Sequence, residues 1–271
     1  MLNWRFANAH AGTFLLRIED IDITRARPEF EDAIFEDLEW LGISWPKPVR
    51  RQSEHFAEYD AALSELRRLG LLYPAFLSRA ETAAKLAGIE SSGRIWPRDP
   101  DGAPHYPGND RLLSLSERER RIATGAPHAW RLDMQAVLDG LGTDLSWTER
   151  GSGPDGETGR IKADPGAWGD VILARRDVPA SYHLSVTVDD GLQAITDVIR
   201  GEDLFAATSV HRLLQHLLGL PAPVYHHHGL VRDSNGRKLS KSDGATSIAS
   251  LRHQGATPEE ILTLAALPPS G

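Results

Sequence analysis

The chain has 271 residues, 41% hydrophobic and 25% charged, the profile of a globular fold long enough to bury a core. Its 30 basic and 38 acidic side chains give a formal net charge of −8, which argues against indiscriminate nucleic-acid binding but leaves room for a local basic groove. The absence of cysteine excludes disulfides and every thiolate metal site. No apolar run approaches the roughly 18 residues of a membrane span and no signal-peptide pattern is present, so the expected compartment is the cytoplasm.

Residues 12–22, GTFLLRIEDID, form a short apolar run ending in charges, as in a buried strand that delivers polar groups at its C-terminal end. Residues 27–42 read as an amphipathic helix, with Pro28 in the first turn, a Phe30, Ile34, Leu38 and Leu41 stripe, and Gly42 as the stop. Residues 53–70 repeat that logic with Ser53 as cap, a face of Phe56, Tyr59, Leu63 and Leu66, and Gly70 after it. The middle differs. Residues 88–110 and 150–169 are dense in Gly, Pro, Asp and Ser, around SERERR (116–121) and HAWRLDM (128–134), which suggests an insertion with irregular connections. Regularity returns at 170–176 and 194–201, and 202–219 reads as a helix with a Val210, Leu213, Leu214, Leu217 and Leu218 stripe. Alternating strands and helices predict an α/β domain with a mainly parallel sheet, whose ligands bind beyond the carboxyl ends of the strands.

Several stretches carry chemistry. In LVRDSNGRKLSKSDG (230–244), glycines flank Lys238, Ser240 and Lys241, so the loop either follows a phosphate chain or is a solvated turn. In RIEDID, Glu19, Asp20 and Asp22 either hold an ammonium group or ligand hydroxyls, or solvate a turn or cap the next helix. Tyr182 and Arg200 bracket an apolar stretch punctuated by acids. The planar fork of Arg200 suits a carboxylate held by two hydrogen bonds, the alternative being a rim salt bridge. In YHHHGL (225–230), strand geometry puts His226 and His228 on one face and His227 on the other. That favours strand or rim histidines over a metal site.

Together, FLLRIEDIDITRARPEFEDAIFEDLEWLGISW, SYHLSVTVDDGLQAITDVIRGEDLFAATSVHRLLQHLLG and GRKLSKSDG resemble, in order and spacing, the catalytic domain of the class I glutamyl-tRNA synthetases. The likeness is weakest over residues 85–165. It implies a doubly wound, Rossmann-like α/β fold with an inserted, mostly helical or irregular subdomain. Residues 1–73 would form the first half of the nucleotide-binding domain, 74–168 the acceptor-type insertion and 169–232 the second half. Residues 233–271 would hold the lysine-serine-lysine ATP loop and a helical segment, with no anticodon-binding domain. That outline resembles the stand-alone paralogs of the family, which activate glutamate with ATP and transfer it to the queuosine base of tRNA(Asp). Alternatives are a non-catalytic glutamate- or tRNA-binding remnant and a fragment of a glutamyl-tRNA synthetase.

By the family pattern Glu19 and Tyr182 would fix the amino acid, Arg200 a substrate carboxylate, and Lys241 with Lys238 and Ser240 the ATP phosphates, Mg²⁺ arriving with ATP; a monomer is expected. SERERR reads as a solvated helix face, with Arg118, Arg120 and Arg121 also open to tRNA phosphates. Two departures stand out. The family's N-terminal strand, glycine turn and histidine signature have no counterpart before MLNWRFANAHAGTFLL, so neighbouring strand edges are expected to be uncovered. Many paralogs also hold zinc in the insertion, but Ala75, Leu77 and Asp110 stand where cysteines would, beside Tyr106, so no zinc is expected. The insertion is then expected to rest on packing around Tyr73, Phe76, Trp96 and Tyr106.

Overall fold

The structure, a computed structural model, describes residues 1–230 and 247–264. Helix α1 (Leu2–Ala9) leads into β1 (Arg17–Ile18), which pairs in parallel with β2 (Arg50–Arg51). The expected strand over 12–22 is therefore confined to two residues. Helices α2 (Pro28–Trp40) and α3 (Phe56–Arg68) form where their 3.6-residue periods predict. In α3, Tyr59, Leu63 and Leu66 are buried as expected, and Gly70 follows at φ +73°. In α2, Phe30 and Ile34 stay exposed, while the Leu38–Leu41 end packs against Ile43 and Ile261 and Phe35 stacks on Trp45. Ser53 does not cap α3. It gives its N–H (2.9 Å) and hydroxyl (2.6 Å) to Asp20, tying the turn after β1 to the turn before α3.

An antiparallel sheet has the order β3 (Leu72–Ala75), β4 (Ala129–Leu132), β7 (Ile172–Arg175). Between β3 and β4 lie α4 (Arg79–Ser91), with a Ser78–Glu81 capping box, and α5 (Leu115–Ala123). Helix α5 carries SERERR on a solvated face, where Arg120 and Arg121 both pair with Glu117, holding its carboxyl down at about 2. The insertion is held by polar contacts as well as packing. The Tyr106 hydroxyl donates to Asp110, accepts from the Leu77 N–H at 3.2 Å, and its ring lies 4.2 Å from the Arg131 guanidinium. Asp110 Oδ2 also accepts from the Phe76 N–H. Tyr73 donates to Asp170 at 2.7 Å and Trp96 to the His105 carbonyl at 2.9 Å.

After α6 (Met134–Gly140), a mixed sheet has the order β6 (Gly159–Lys162), β5 (Ser146–Glu149), β9 (Val224–His228), β8 (Asp197–Gly201). The β5–β9 and β9–β8 pairs are parallel, and β6 is an antiparallel edge. Helix α7 (Tyr182–Leu192), capped by Ser181, is buried continuously from Leu184 to Asp189. It packs with α8 (Thr208–Leu217), whose Val210, Leu213 and Leu214 enter the main core. Helices α9 (Ile248–His253) and α10 (Pro258–Leu264) close the described chain. Among the described residues no helix is long and apolar enough to cross a membrane.

Strands β1 and β8 do not pair. They face each other across a cleft of about 760 Å³ lined also by α1 and α7. On that side of β8 the Asn3 side chain donates to the Ile199 carbonyl (3.0 Å) and accepts from its N–H (3.3 Å), pairing the edge as a strand would.

Candidate active site

The parallel register of β8 on β9 sets Arg200 opposite His227. Facing residues of paired strands project to the same side, so both side chains enter the interior above α8. As alternation requires, Tyr225 and His227 are buried while His226 and His228 lie on the other face, His226 meeting Asp197 at 2.8 Å.

His227 is locked in turn by Glu149 at the end of β5. The fully buried Glu149 carboxylate accepts from His227 Nδ1 (2.6 Å), the His227 N–H (2.8 Å), the Gly151 N–H (2.8 Å) and Trp147 Nε1 (3.4 Å). A Cβ on Gly151 would fall 2.1 Å from the His227 carbonyl oxygen, so only glycine lets this loop approach so closely. With Nδ1–H given to Glu149, His227 Nε2 is the acceptor for Arg200 Nε at 3.1 Å. Arg200 Nη1 donates to His211 Nδ1 (3.0 Å), which leaves His211 Nε2–H to donate to His183 Nδ1 (3.1 Å). Arg200 Nη2 serves Thr208 Oγ1 (2.7 Å) and the Leu204 carbonyl (3.3 Å).

The guanidinium is thus fixed at the hub of a relay running from Glu149 through His227 and Arg200 to His211 and His183. Four of its five N–H groups are committed among the described residues, leaving one Nη1 hydrogen. One N–H of a rigid cation stays uncommitted, where the sequence predicts a two-point fork.

The relay histidines are neutral. Burial lowers all three, with Arg200 adding to it; His183 falls to about 4 and His211 goes well below its ordinary value. A histidine harder to protonate folded than unfolded stabilises fully above pH 6.5, and that contribution is lost as the pH falls toward the folded value. Between pH 6.5 and 5, His183 alone should cost roughly 2 kcal/mol. The melting temperature should fall over this range, and less so in His183→Asn, which keeps an acceptor for His211. Equal losses in both proteins would sink this account.

Glu19, Tyr182, Asp190 and Arg17 line the β1–β8 cleft together with Arg200. Burial pushes up both the Glu19 carboxyl and the Tyr182 hydroxyl, the latter helped by the Glu19 charge. Of the three RIEDID acids, Glu19 alone faces this cleft. Asp20 is spent on Ser53, and Asp22 accepts from Thr24 N–H (3.2 Å) and Oγ1 (2.6 Å) in a turn. Lys238, Ser240 and Lys241 lie outside the described residues.

Sequence reading missed the Asp189 hub. This fully buried carboxylate accepts from Arg50 Nε (2.8 Å), Gln52 Nε2 (2.8 Å) and the Tyr59 hydroxyl (2.9 Å), with Arg17 Nε 3.7 Å away. It binds β1, β2 and α3 to α7. Arg17 meanwhile reaches Asp190 (2.9 Å), Gln193 (3.2 Å) and Glu19 (3.4 Å) along the cleft wall. The only sequence signal was two adjacent acids in an apolar run.

A mixed α/β core with a cleft between β1 and β8, lined by a fixed arginine and by acids, suits a small molecule that carries both signs of charge. The chain belongs to the class I tRNA synthetase (E and Q) catalytic-domain family, whose model matches residues 1–268. It is a ligase-type domain of the aminoacyl-tRNA synthetases.

Within that family, it is 43% identical to the glutamyl-Q tRNA(Asp) synthetase of Rhodobacter capsulatus, over 96% of this chain and 90% of that protein. It is 37% identical to the protein of the same name from Nocardia farcinica, over 97% of this chain and 76% of the relative. A glutamate tRNA ligase from Elizabethkingia meningosepticum, solved in complex with its amino acid, superposes with a TM-score of 0.77 at 26% identity. That match covers 98% of this chain and 56% of the ligase, so the chain spans about half the length of that protein.

Proposed function

We propose that the chain activates L-glutamate with ATP and transfers it to the queuosine base of tRNA(Asp). Support comes from its likeness, along nearly its whole length, to proteins named glutamyl-Q tRNA(Asp) synthetase. The observation that carries the reading is the cleft itself, where the positioned cation of Arg200 shares one cavity with Glu19, Tyr182 and Asp190. An amino acid needs that pairing, with acids and a phenol for its ammonium and a guanidinium for a carboxylate.

In the first step, a glutamate α-carboxylate oxygen bonds to the α-phosphorus of ATP and the α–β bridging bond breaks. Glutamyl-adenylate forms and pyrophosphate leaves. Two anions must meet, so the protein's work is positioning and charge neutralisation. In the second step an acceptor hydroxyl bonds to the activated carboxyl carbon, the anhydride bond breaks, and AMP departs with its phosphate taking the hydroxyl proton. Glu19 and Tyr182 hold the ammonium group and Arg200 a carboxylate, while Lys238, Ser240 and Lys241 serve the ATP phosphates.

Magnesium would be brought by ATP, held by its phosphates, and would supply charge neutralisation there. Among the described residues no group of three or more His, Asp or Glu side chains is arranged to hold an ion. The reading carries with it a monomer acting where tRNA resides, in the cytoplasm.

The test is glutamate-dependent ATP–pyrophosphate exchange without tRNA, followed by transfer to tRNA(Asp) with and without queuosine. Lys241→Ala should lower exchange at least about 100-fold, the usual effect of losing one transition-state donor. Unchanged exchange in that variant would remove the loop from catalysis.

A further inference from the structure

A second cavity, about 530 Å³, lies on the other side of Tyr182 from the amino-acid cleft. The two share a wall. Tyr182 lines both, and the strand-end segment supplies Glu19 to the first cavity and Ile21 and Asp22 to the second. A group held in the second cavity therefore meets the cleft at Tyr182, beside the ammonium group and the α-carboxyl borne on the same carbon.

The walls are aromatic and fixed. Trp168 donates Nε1 to the Ala206 carbonyl at 3.2 Å and stands edge-on to His183, with ring centroids 5.5 Å apart. His105 Nε2 bonds the Ala167 carbonyl at 3.0 Å, and Tyr106 is spent on Asp110. Each ring turns its polar atom into the protein and leaves the cavity an apolar surface of a kind that planar bases favour. The volume falls within the range of a small-molecule pocket.

The mouth is acidic. Asp99 accepts the Ala103 N–H at 2.8 Å and has no cationic partner among the described residues, and Asp101 lies beside it. Burial, Asp99 and Asp203 together push the Asp101 carboxyl up, so the acids already repel one another across the opening. Asp170, by contrast, is consumed by Tyr73 and the Met134 N–H. Arg131 and Arg175 also line the cavity, but Arg131 is turned to the Asp170 carbonyl and the Tyr106 ring, so the side bearing Asp99 and Asp101 is the one that favours a cation.

We propose, resting on the function above, that this pocket selects the acceptor by its cationic, hydroxylated base substituent, with Asp99 and Asp101 receiving the secondary ammonium and Asp22 a hydroxyl. The base lies against Trp168 and Tyr182, and the substituent's second hydroxyl points past Tyr182 toward the activated carboxyl. Selection thus rests on the charge of the substituent.

The test uses an anticodon stem-loop RNA carrying queuosine, the same RNA with the queuosine amine acetylated, and the Asp99→Asn/Asp101→Asn protein. Asparagine still accepts the Ala103 N–H, so the turn is kept. On the native RNA the variant should raise the transfer KM roughly 10- to 100-fold, the usual cost of losing charged hydrogen bonds, with pyrophosphate exchange retained. On the acetylated RNA the parent should show a loss of the same size, and the variant little further loss, because both changes remove one contact. Losses that multiply, an unchanged transfer KM, or an equal fall in exchange would each overturn the assignment. If the parent charges no queuosine-bearing RNA at all, the functional reading falls instead.

Discussion

Arg200→Lys should reduce kcat/KM for glutamate in pyrophosphate exchange at least about 100-fold, with most of the loss in KM. Arg200→Ala should do the same or worse. A lysine brings three donors on a flexible stem, whereas Arg200 already serves His227, His211, Thr208 and the Leu204 carbonyl while keeping one N–H for the cleft. The substituted ammonium would have to abandon either the relay or the substrate. The Glu149→Gln variant separates these roles, because a neutral amide no longer fixes His227 by charge but leaves the guanidinium present. The expected signature there is a milder rise in glutamate KM. If glutamate KM and rate in Arg200→Lys match those of the parent, Arg200 has no part in binding the amino acid.

The second large effect falls on stability. Asp189→Asn should cost about 3–5 kcal/mol, the penalty for breaking a buried charge network by removing one partner. The melting temperature should drop on the order of 10 °C. Arg50 lies against this carboxylate at 2.8 Å and Arg17 is nearby, both largely buried, and each would be left to its second acid, Glu58 or Asp190. The exposed pair Arg68–Glu65 makes equally short contacts, but both side chains are solvated, so Glu65→Gln should leave the melting temperature unchanged. Thermal denaturation of both variants decides the point. A drop in Asp189→Asn no larger than in Glu65→Gln would show that the hub is incidental.

The buried face of α8 was legible because its apolar residues recur at i, i+3, i+4 and i+7, but the helix expected over 202–219 runs only from Thr208 to Leu217, after a separate turn at Glu202–Leu204. The same signal over α2 marked a helix correctly but overstated its burial. Periodicity says which face is apolar, not whether another layer covers it, and Phe30 lies 59% exposed. Ser53 looked like a cap because serine before an apolar run usually is one. Its hydroxyl instead found the Asp20 carboxylate, 33 residues away in sequence. The Tyr106–Asp110 contact in the insertion was half visible, in that both residues stood at positions where relatives were expected to ligate zinc, but nothing local showed that they would bond each other.

By itself, then, the sequence determined the α/β class, the helices with strong periods, the strand that points His227 away from its neighbours, and the family motifs containing Glu19, Tyr182 and Arg200. These depend on residues within a few positions of one another, where backbone geometry ties spacing directly to face. Only the tertiary structure decided what those residues do. The register of β8 on β9 put His227 beside Arg200. Glu149, 78 residues earlier, set the tautomer of His227, and Asp189 drew in Arg50 from 139 residues away. Such pairs form because a buried charge must find its partner wherever the fold brings one, and sequence spacing holds no record of that search.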